Sequence, residues 1–293
     1  ARAQEHLLAK DRFDAIAAEF SGERALENVR RIVDFHRIQG SPMMADVART
    51  VVLPALKAAG LEAAIEDFPS DGRTRYGSHT SPPGWAIRSG ELFVEGPVPL
   101  RLCRYADVPM CVSTYSQGGD WSGELVDVGR GTKDDDYAGR DVRGKVALAY
   151  GYASAVSRQA VLKRGAAFVV IYPSPSDRPA YPDLIRYNGM WPRAAELPRL
   201  RGGFQISTNQ YHLLRERMAR GPVRVHGRIE VALGDGARDQ PPPHRRRGID
   251  RFAREHHVGG DAWRHEARQR LRRAGAGDVA ERDLRQREPR RVG

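Results

Sequence analysis

Gly123-Glu-Leu-Val-Asp-Val-Gly129, then Asp141-Val-Arg-Gly-Lys-Val-Ala-Leu148, then Lys163-Arg-Gly-Ala-Ala-Phe-Val-Val-Ile171, is the stretch on which the fold turns. The first run, Val- and Leu-rich and bounded by glycines, reads as a strand. The second is a tight turn delivering a continuous apolar run, Val146 to Ala149. Between it and the third, Ser154 to Arg164 reads as a short helix with Val156, Ala160 and Val161 inward and Gly165 as its stop. Ala167 to Tyr172 then has no polar side chain until its last residue, as a strand covered on both faces would. Strand, helix and strand with short links predict a βαβ crossover.

Working outward toward the N-terminus, residues 8–37 read as helical, with Leu26, Val29, Ile32, Val33 and His36 at helical spacing. Gly40 stops the pattern. Ser41-Pro42 then looks like an N-cap followed by proline at the first helical position. A second helix carries Met44, Val47, Val51 and Leu56 and ends before Gly60, with a kink expected at Pro54. Leu61 to Phe68 reads as a strand with an acidic outer face. From Pro69 to about Gly118, frequent Gly, Pro and Ser with short apolar runs (Trp85–Ile87, Glu91–Val94, Val112–Tyr115) predict a β-rich region with many turns. Residues 173–203 read as a loop, Gln210–Met218 as a helix, and Val223–Val231 as an alternating strand.

The chain has 293 residues, 40% hydrophobic and 29% charged, which suits about two soluble globular domains. No run approaches the roughly 20 apolar residues of a membrane helix. Ala1 to Asp14 is charged and has no apolar core, so no signal peptide is expected and a cytoplasmic location is favoured. Cys103 and Cys111 are too few for a disulfide framework or a metal cluster. They read as two part-buried thiols, with a single hairpin disulfide as the alternative. The net charge of +11 raises nucleic-acid binding, but 16 Arg and nine acids place +7 of it in residues 237–293.

The three quoted runs are similar to the signature of a protease-associated domain. Arg24–His36 with Ile38-Gln-Gly-Ser-Pro42, and Leu56–Leu61 with Ile65–Phe68, resemble the first helices and first strand of zinc aminopeptidases of the two-zinc exopeptidase type. The fold expected from this resemblance is α/β. A partial zinc-exopeptidase-type layer carries an inserted β-rich protease-associated domain, and a C-terminal tail is expected to be disordered. The expected division is 1–68 for the N-terminal helices and first strand, 69–222 for the insert, 223–236 for a strand returning to the peptidase-type layer, and 237–293 for the Arg-rich tail.

The implied activity is hydrolysis of N-terminal peptide bonds of peptide or protein substrates, using two zinc ions held by a His-x-Asp pair, further Asp residues, a Glu-Glu pair and a last His. None of the nine histidines has Asp two positions on, and no Glu-Glu dipeptide occurs. No catalytic, cofactor-binding or metal residue is therefore assigned, no cofactor is expected in this chain, and the chain is expected to be inactive. The alternative is a non-catalytic protein-binding module built on the protease-associated domain.

After Gly236 the apolar periodicity fails, with seven large aliphatic or Phe residues in 57. Such a segment has little with which to build a core. Arg, Ala, Gly and Pro enrichment suits an out-of-frame reading of a GC-rich gene, and a disordered native tail is the other reading. Arg245–Arg247, Arg268, Arg270, Arg272 and Arg273 could touch phosphates, but interspersed acids and only Phe252 and Trp263 for stacking argue against specific nucleic-acid binding. His256, His257 and His265 with Asp261 and Glu266 show no metal-site spacing. His36 reads as a hydrogen-bonded structural histidine on the core face of its helix. Asp134-Asp-Asp136 reads as a polar turn, since its three consecutive acids lack the spacing of a calcium loop. No Gly-x-Ser-x-Gly elbow occurs.

Overall fold

A computed structural model of the chain describes residues 9–176 and 181–234. The quoted runs form its middle. In the Asp141–Val146 turn, the Asp141 side chain accepts from the Arg143 N–H at 3.0 Å, and Gly144 takes φ +66°. Aspartate two residues back and glycine in the left-handed region are what so tight a reversal requires. The turn delivers the strand β6, Val146–Ala149, which pairs in parallel with β7, Phe168–Ile171. All eight residues are buried. Between the two strands, the helix Ala153–Ser157 continues through a π turn, Arg158–Lys163. It ends at Gly165, φ +75°, and the Gly165 and Ala166 N–H groups reach back to the carbonyls of Val161 and Ala160. The βαβ crossover is thus present.

Five further strands complete a seven-stranded sheet: β3 (Trp85–Val94), β4 (Leu100–Arg104), β5 (Gly119–Asp127), β8 (Gly203–Gln205) and β9 (Arg224–Leu233). Two short strands, β1 (Arg75–Tyr76) and β2 (His79–Thr80), form a separate hairpin. The order across the large sheet is β4-β3-β9-β5-β6-β7-β8. One half is antiparallel and the other parallel, and β5 serves both. Its first part, Gly119–Glu124, runs against β9, and its last, Leu125–Asp127, runs with β6. Alternate residues feed two cores. Val146, Leu148, Phe168 and Val170 join Phe204, Leu214 and Leu92, while Ala147, Ala149, Val169 and Ile171 join Val156, Ala160 and Val161. Both faces of the parallel half are therefore covered, as their unbroken apolar sequence demands.

The N-terminal segment forms α1 (Lys10–Glu19), α2 (Gly22–Val33), α3 (Pro42–Val47) and α4 (Leu53–Ala58). The single helix expected over 8–37 is two, because the Ser21 hydroxyl accepts from the Arg24 N–H and caps a new start. A π turn over Ala48–Val52 joins α3 to α4, and Pro54, where a kink is expected, lies in the first turn of α4. Phe35, Met43, Val47 and Val51 make a small core of their own, with Ile32 packed on it. No residue of α1 or α2 is buried.

One expectation differs from the structure. Residues 61–68 form no strand; their alternation has no neighbouring strand to pair with, and a strand without a ladder is not stable. Val112–Tyr115 makes only isolated bridges to Phe204 and Gly189. The strand expected at 223–231 is present as β9, paired from Val225 to Leu233 with β3 and across Arg224–Ile229 with β5. Alternation announces a strand and says nothing of its partners. Among the described residues no helix is long and apolar enough to cross a membrane.

Candidate functional site

Because β5 to β8 are parallel, their carboxyl ends open on one edge, the usual place for a ligand in such sheets. Asp127 ends β5, Tyr150 follows β6 and Tyr172 follows β7. The helix after β8, α6 in this numbering with Ala153–Ser157 as α5, spans Thr208–Met218 and contributes Tyr211. Its start is written in Ser207 and Gln210, whose side chains bond each other's backbone N–H groups. Tyr172 and Tyr211 stack with centroids 3.8 Å apart and planes at 5°. Both donate to Asp127, at 3.2 and 3.3 Å, and the Gly129 N–H donates to the same carboxylate at 2.9 Å. Burial, and then the Asp127 charge, push the Tyr172 phenol far up, so it stays a donor at all ordinary pH. With these three donors on one carboxylate, the cluster clasps the ends of β5 and β7 to the helix that follows β8.

The backbone has an unusual point of its own. Tyr115 (φ 63°) and Trp191 (φ 44°) are the non-glycine residues with positive φ among those described, and their ring centroids lie 5.0 Å apart. Thr114 Oγ1 and the Tyr187 hydroxyl lie 3.1 Å apart. A Cβ on Gly189 would fall within 2.8 Å of Thr114 Oγ1, Trp191 Nε1 and the Tyr187 hydroxyl. A bare glycine thus lets three polar atoms gather. Tyr115 is fully buried, while Tyr187 and Trp191 are 47% and 41% exposed. Strain of this kind persists only where the surroundings enforce it. The arrangement can bind, but it brings together no nucleophile and base.

His36 is buried and bonded as expected, though past the end of α2 rather than on it. Its Nδ1 lies 3.0 Å from the Tyr105 hydroxyl, and its ring meets Trp85 edge-on. Asp134 pairs with Lys163 and Arg164, and Asp136 accepts from the Thr132 and Lys133 N–H groups, so the acidic turn is satisfied from within. Cys103 and Cys111 are free and buried. Among the described residues no three His, Cys, Asp or Glu gather as a metal would require. They do not fit a two-zinc centre, and no step is derived through one. The tail residues singled out above (His256, His257, His265, Asp261, Glu266, Phe252, Trp263 and the arginines from Arg245 on) lie outside the described residues.

The tyrosine clasp and the strained pair were not singled out from the sequence. The visible signal for the first was a polar residue at the end of each apolar strand, Asp127 and Tyr172. The second left none, since neither residue is of a type that marks positive φ.

No family model matches the chain, and no curated protein matches it. Solved structures do resemble it. An aminopeptidase from Aneurinibacillus sp. strain AM-1 aligns with TM-score 0.39 and 19% identity over 73% of this chain and 46% of that one. The peptidase M28 precursor from Shewanella amazonensis SB2B aligns with TM-score 0.45 and 15% identity, covering 70% and 46%. BSAP, a zinc aminopeptidase from Bacillus subtilis, aligns with TM-score 0.42 and 12% identity, covering 71% and 43%. The chain spans less than half the length of each.

Proposed function

We propose that residues 84–234 are a protease-associated-type domain set within the chain of a zinc aminopeptidase-like protein, and that the domain shapes the approach of peptides rather than cutting them. The observation that carries this reading is the meeting of the domain's two ends. Trp85, at the start of β3, lies opposite Leu233, at the end of β9, and the Gly234 N–H donates to the Gly84 carbonyl at 2.8 Å. A domain threaded through another must leave where it came in. On this reading the boundaries fall at 84 and 234 rather than 69 and 222, and β9 belongs to the insert.

Peptide substrates, zinc and the aminopeptidase activity enter through the sequence resemblance. The described residues supply no ligand set, so the chain is proposed to be inactive as it stands. The test is release of p-nitroaniline from amino-acid p-nitroanilides by the full chain, with added zinc and with chelator. No chelator-sensitive release is expected, and release that zinc restores after chelation overturns the proposal.

A second reading, a protein-binding module, has its own support. Tyr152, Tyr187 and Trp191 are exposed, and the Ala153 N–H bonded to Asn188 Oδ1 at 2.9 Å brings their two loops together. Exposed Tyr and Trp are the residues that dominate binding energy at interfaces. Saturable binding of a protein, lost on Trp191→Ser with the fold intact, would favour this reading over the first.

A further inference from the structure

Around Gly189 three polar side chains meet in a cradle that neither reading explains. The backbone fixes its floor. Gly189 bridges Thr114, and the Met190 N–H donates to the Thr114 carbonyl at 2.9 Å. The Asn188 carbonyl accepts from the buried Gln205 side chain at 3.3 Å. Thr114 is itself buried, so its hydroxyl is delivered from the core. Because residue 189 has no side chain, Thr114 Oγ1, Trp191 Nε1 and the Tyr187 hydroxyl all come within 2.8 Å of the spot where a Cβ would stand. The Trp191 ring is backed by that of Tyr115, whose hydroxyl donates to the Gln39 carbonyl at 3.0 Å. Of the two hydroxyls 3.1 Å apart, one donates to the other, which leaves one O–H to donate elsewhere. Trp191 accepts through its carbonyl from Arg158 at 3.0 Å, while its indole N–H meets no acceptor among the described residues. An indole N–H can only donate. Two donors both 2.8 Å from one point can share a single oxygen at hydrogen-bonding distance, about 2.9 Å. None of the three side chains is charged, and the Arg158 guanidinium is engaged by Glu196 at 2.8 and 3.1 Å. Neutral donors suit an amide carbonyl, whereas a carboxylate or phosphate is held best by a free cation.

We propose that Thr114, Tyr187 and Trp191 form a binding site for a backbone carbonyl of an uncharged peptide segment. The inference rests on the reading that this domain shapes the approach of peptides, and it gives that reading a point of contact. The indole N–H and the remaining hydroxyl proton donate to the carbonyl oxygen. The half-exposed rings of Tyr187 and Trp191 keep the cradle open to solvent and offer apolar surface to a neighbouring side chain of the peptide. A main-chain carbonyl is common to every peptide, so the site holds many sequences, each weakly.

The full chain, labelled with nitrogen-15, is titrated with N-acetyl-leucyl-leucinamide, which carries carbonyls and no charge. The indole N–H signal of Trp191, identified by its loss in Trp191→Phe, is expected to move and to saturate, with a dissociation constant of about a millimolar. Gly189→Ala fills the cradle and is expected to weaken binding about tenfold. Trp191→Phe keeps an aromatic ring and removes the N–H; followed at the Gly189 backbone N–H, it is expected to weaken binding about three- to tenfold. If Gly189→Ala melts well below the wild type, Trp191→Phe decides. Wild-type affinity in Trp191→Phe overturns the carbonyl site and leaves the protein-binding reading standing, since that reading needs only the aromatic surface. Absence of a saturable shift with the peptide, or a shift with sodium acetate or inorganic phosphate alone, also overturns the proposal. The p-nitroaniline measurement reads cutting rather than contact, so it fails or succeeds independently of this one.

Discussion

The sheet of residues 84–234 and the helices of residues 9–58 both carry apolar residues at the spacing their element needs and come to different ends. In the sheet, every residue of β6 and β7 is buried, and each face has its own cover. In the helices, Phe13, Ile16 and Phe20 of the α1 stretch and Leu26, Val29 and Val33 of α2 stay exposed. Ser21 caps its helix, and Ile32 of α2 packs on the small core of Phe35, Met43, Val47 and Val51, while Leu26, Val29 and Val33 remain exposed. Local signals specify that an element forms; stability comes only when its apolar face meets another.

The difference can be broken most forcefully in the sheet. Phe168→Ala, at a side chain with no exposure packed on Phe204 and Trp121, is expected to cost about 3–5 kcal/mol in urea unfolding. A cost near zero would mean that the sheet is not the stable half. Tyr211→Phe removes one donor from Asp127 and is expected to cost about 1 kcal/mol, with the stacking on Tyr172 kept.

Acid sharpens the contrast at the joint between the two regions. The Thr74 N–H, then its hydroxyl, then the Arg73 N–H hold the Asp71 carboxyl well below its ordinary value. Its folded value is depressed, so its contribution is whole above the ordinary carboxylate range of about 4 and is lost as pH falls further. Stability measured from pH 6 downward should decline below about pH 4, and Asp71→Ala should flatten that part of the curve.

The smallest effect is expected in the helices. Val29→Ser, on an uncovered face, should change unfolding free energy by less than about 0.5 kcal/mol while raising the concentration at which the protein stays in solution. Hydrogen exchange joins both halves of the comparison. Amides of β6 and β7 should exchange last and those of α1 and α2 first, and the reverse order would dissolve the distinction drawn here.

How much of this was legible follows from the range of each signal. The Asp141–Val146 turn, Gly165, Ser41-Pro42, Gly60 and the continuous run at 168–171 act within a few residues, and the sequence determined them by itself. Phi angles near +70° need glycine, and a strand covered on both faces needs unbroken apolar residues. The tertiary structure decided what depends on partners far along the chain. It put β9 between β3 and β5, left 61–68 without a strand, and brought Tyr172 and Tyr211 to one carboxylate. Alternation specifies two faces and no neighbour, and a tyrosine or cysteine carries no mark of what it will touch. Only the folding of the chain, in which distant segments compete to cover the same apolar faces, settles those pairings.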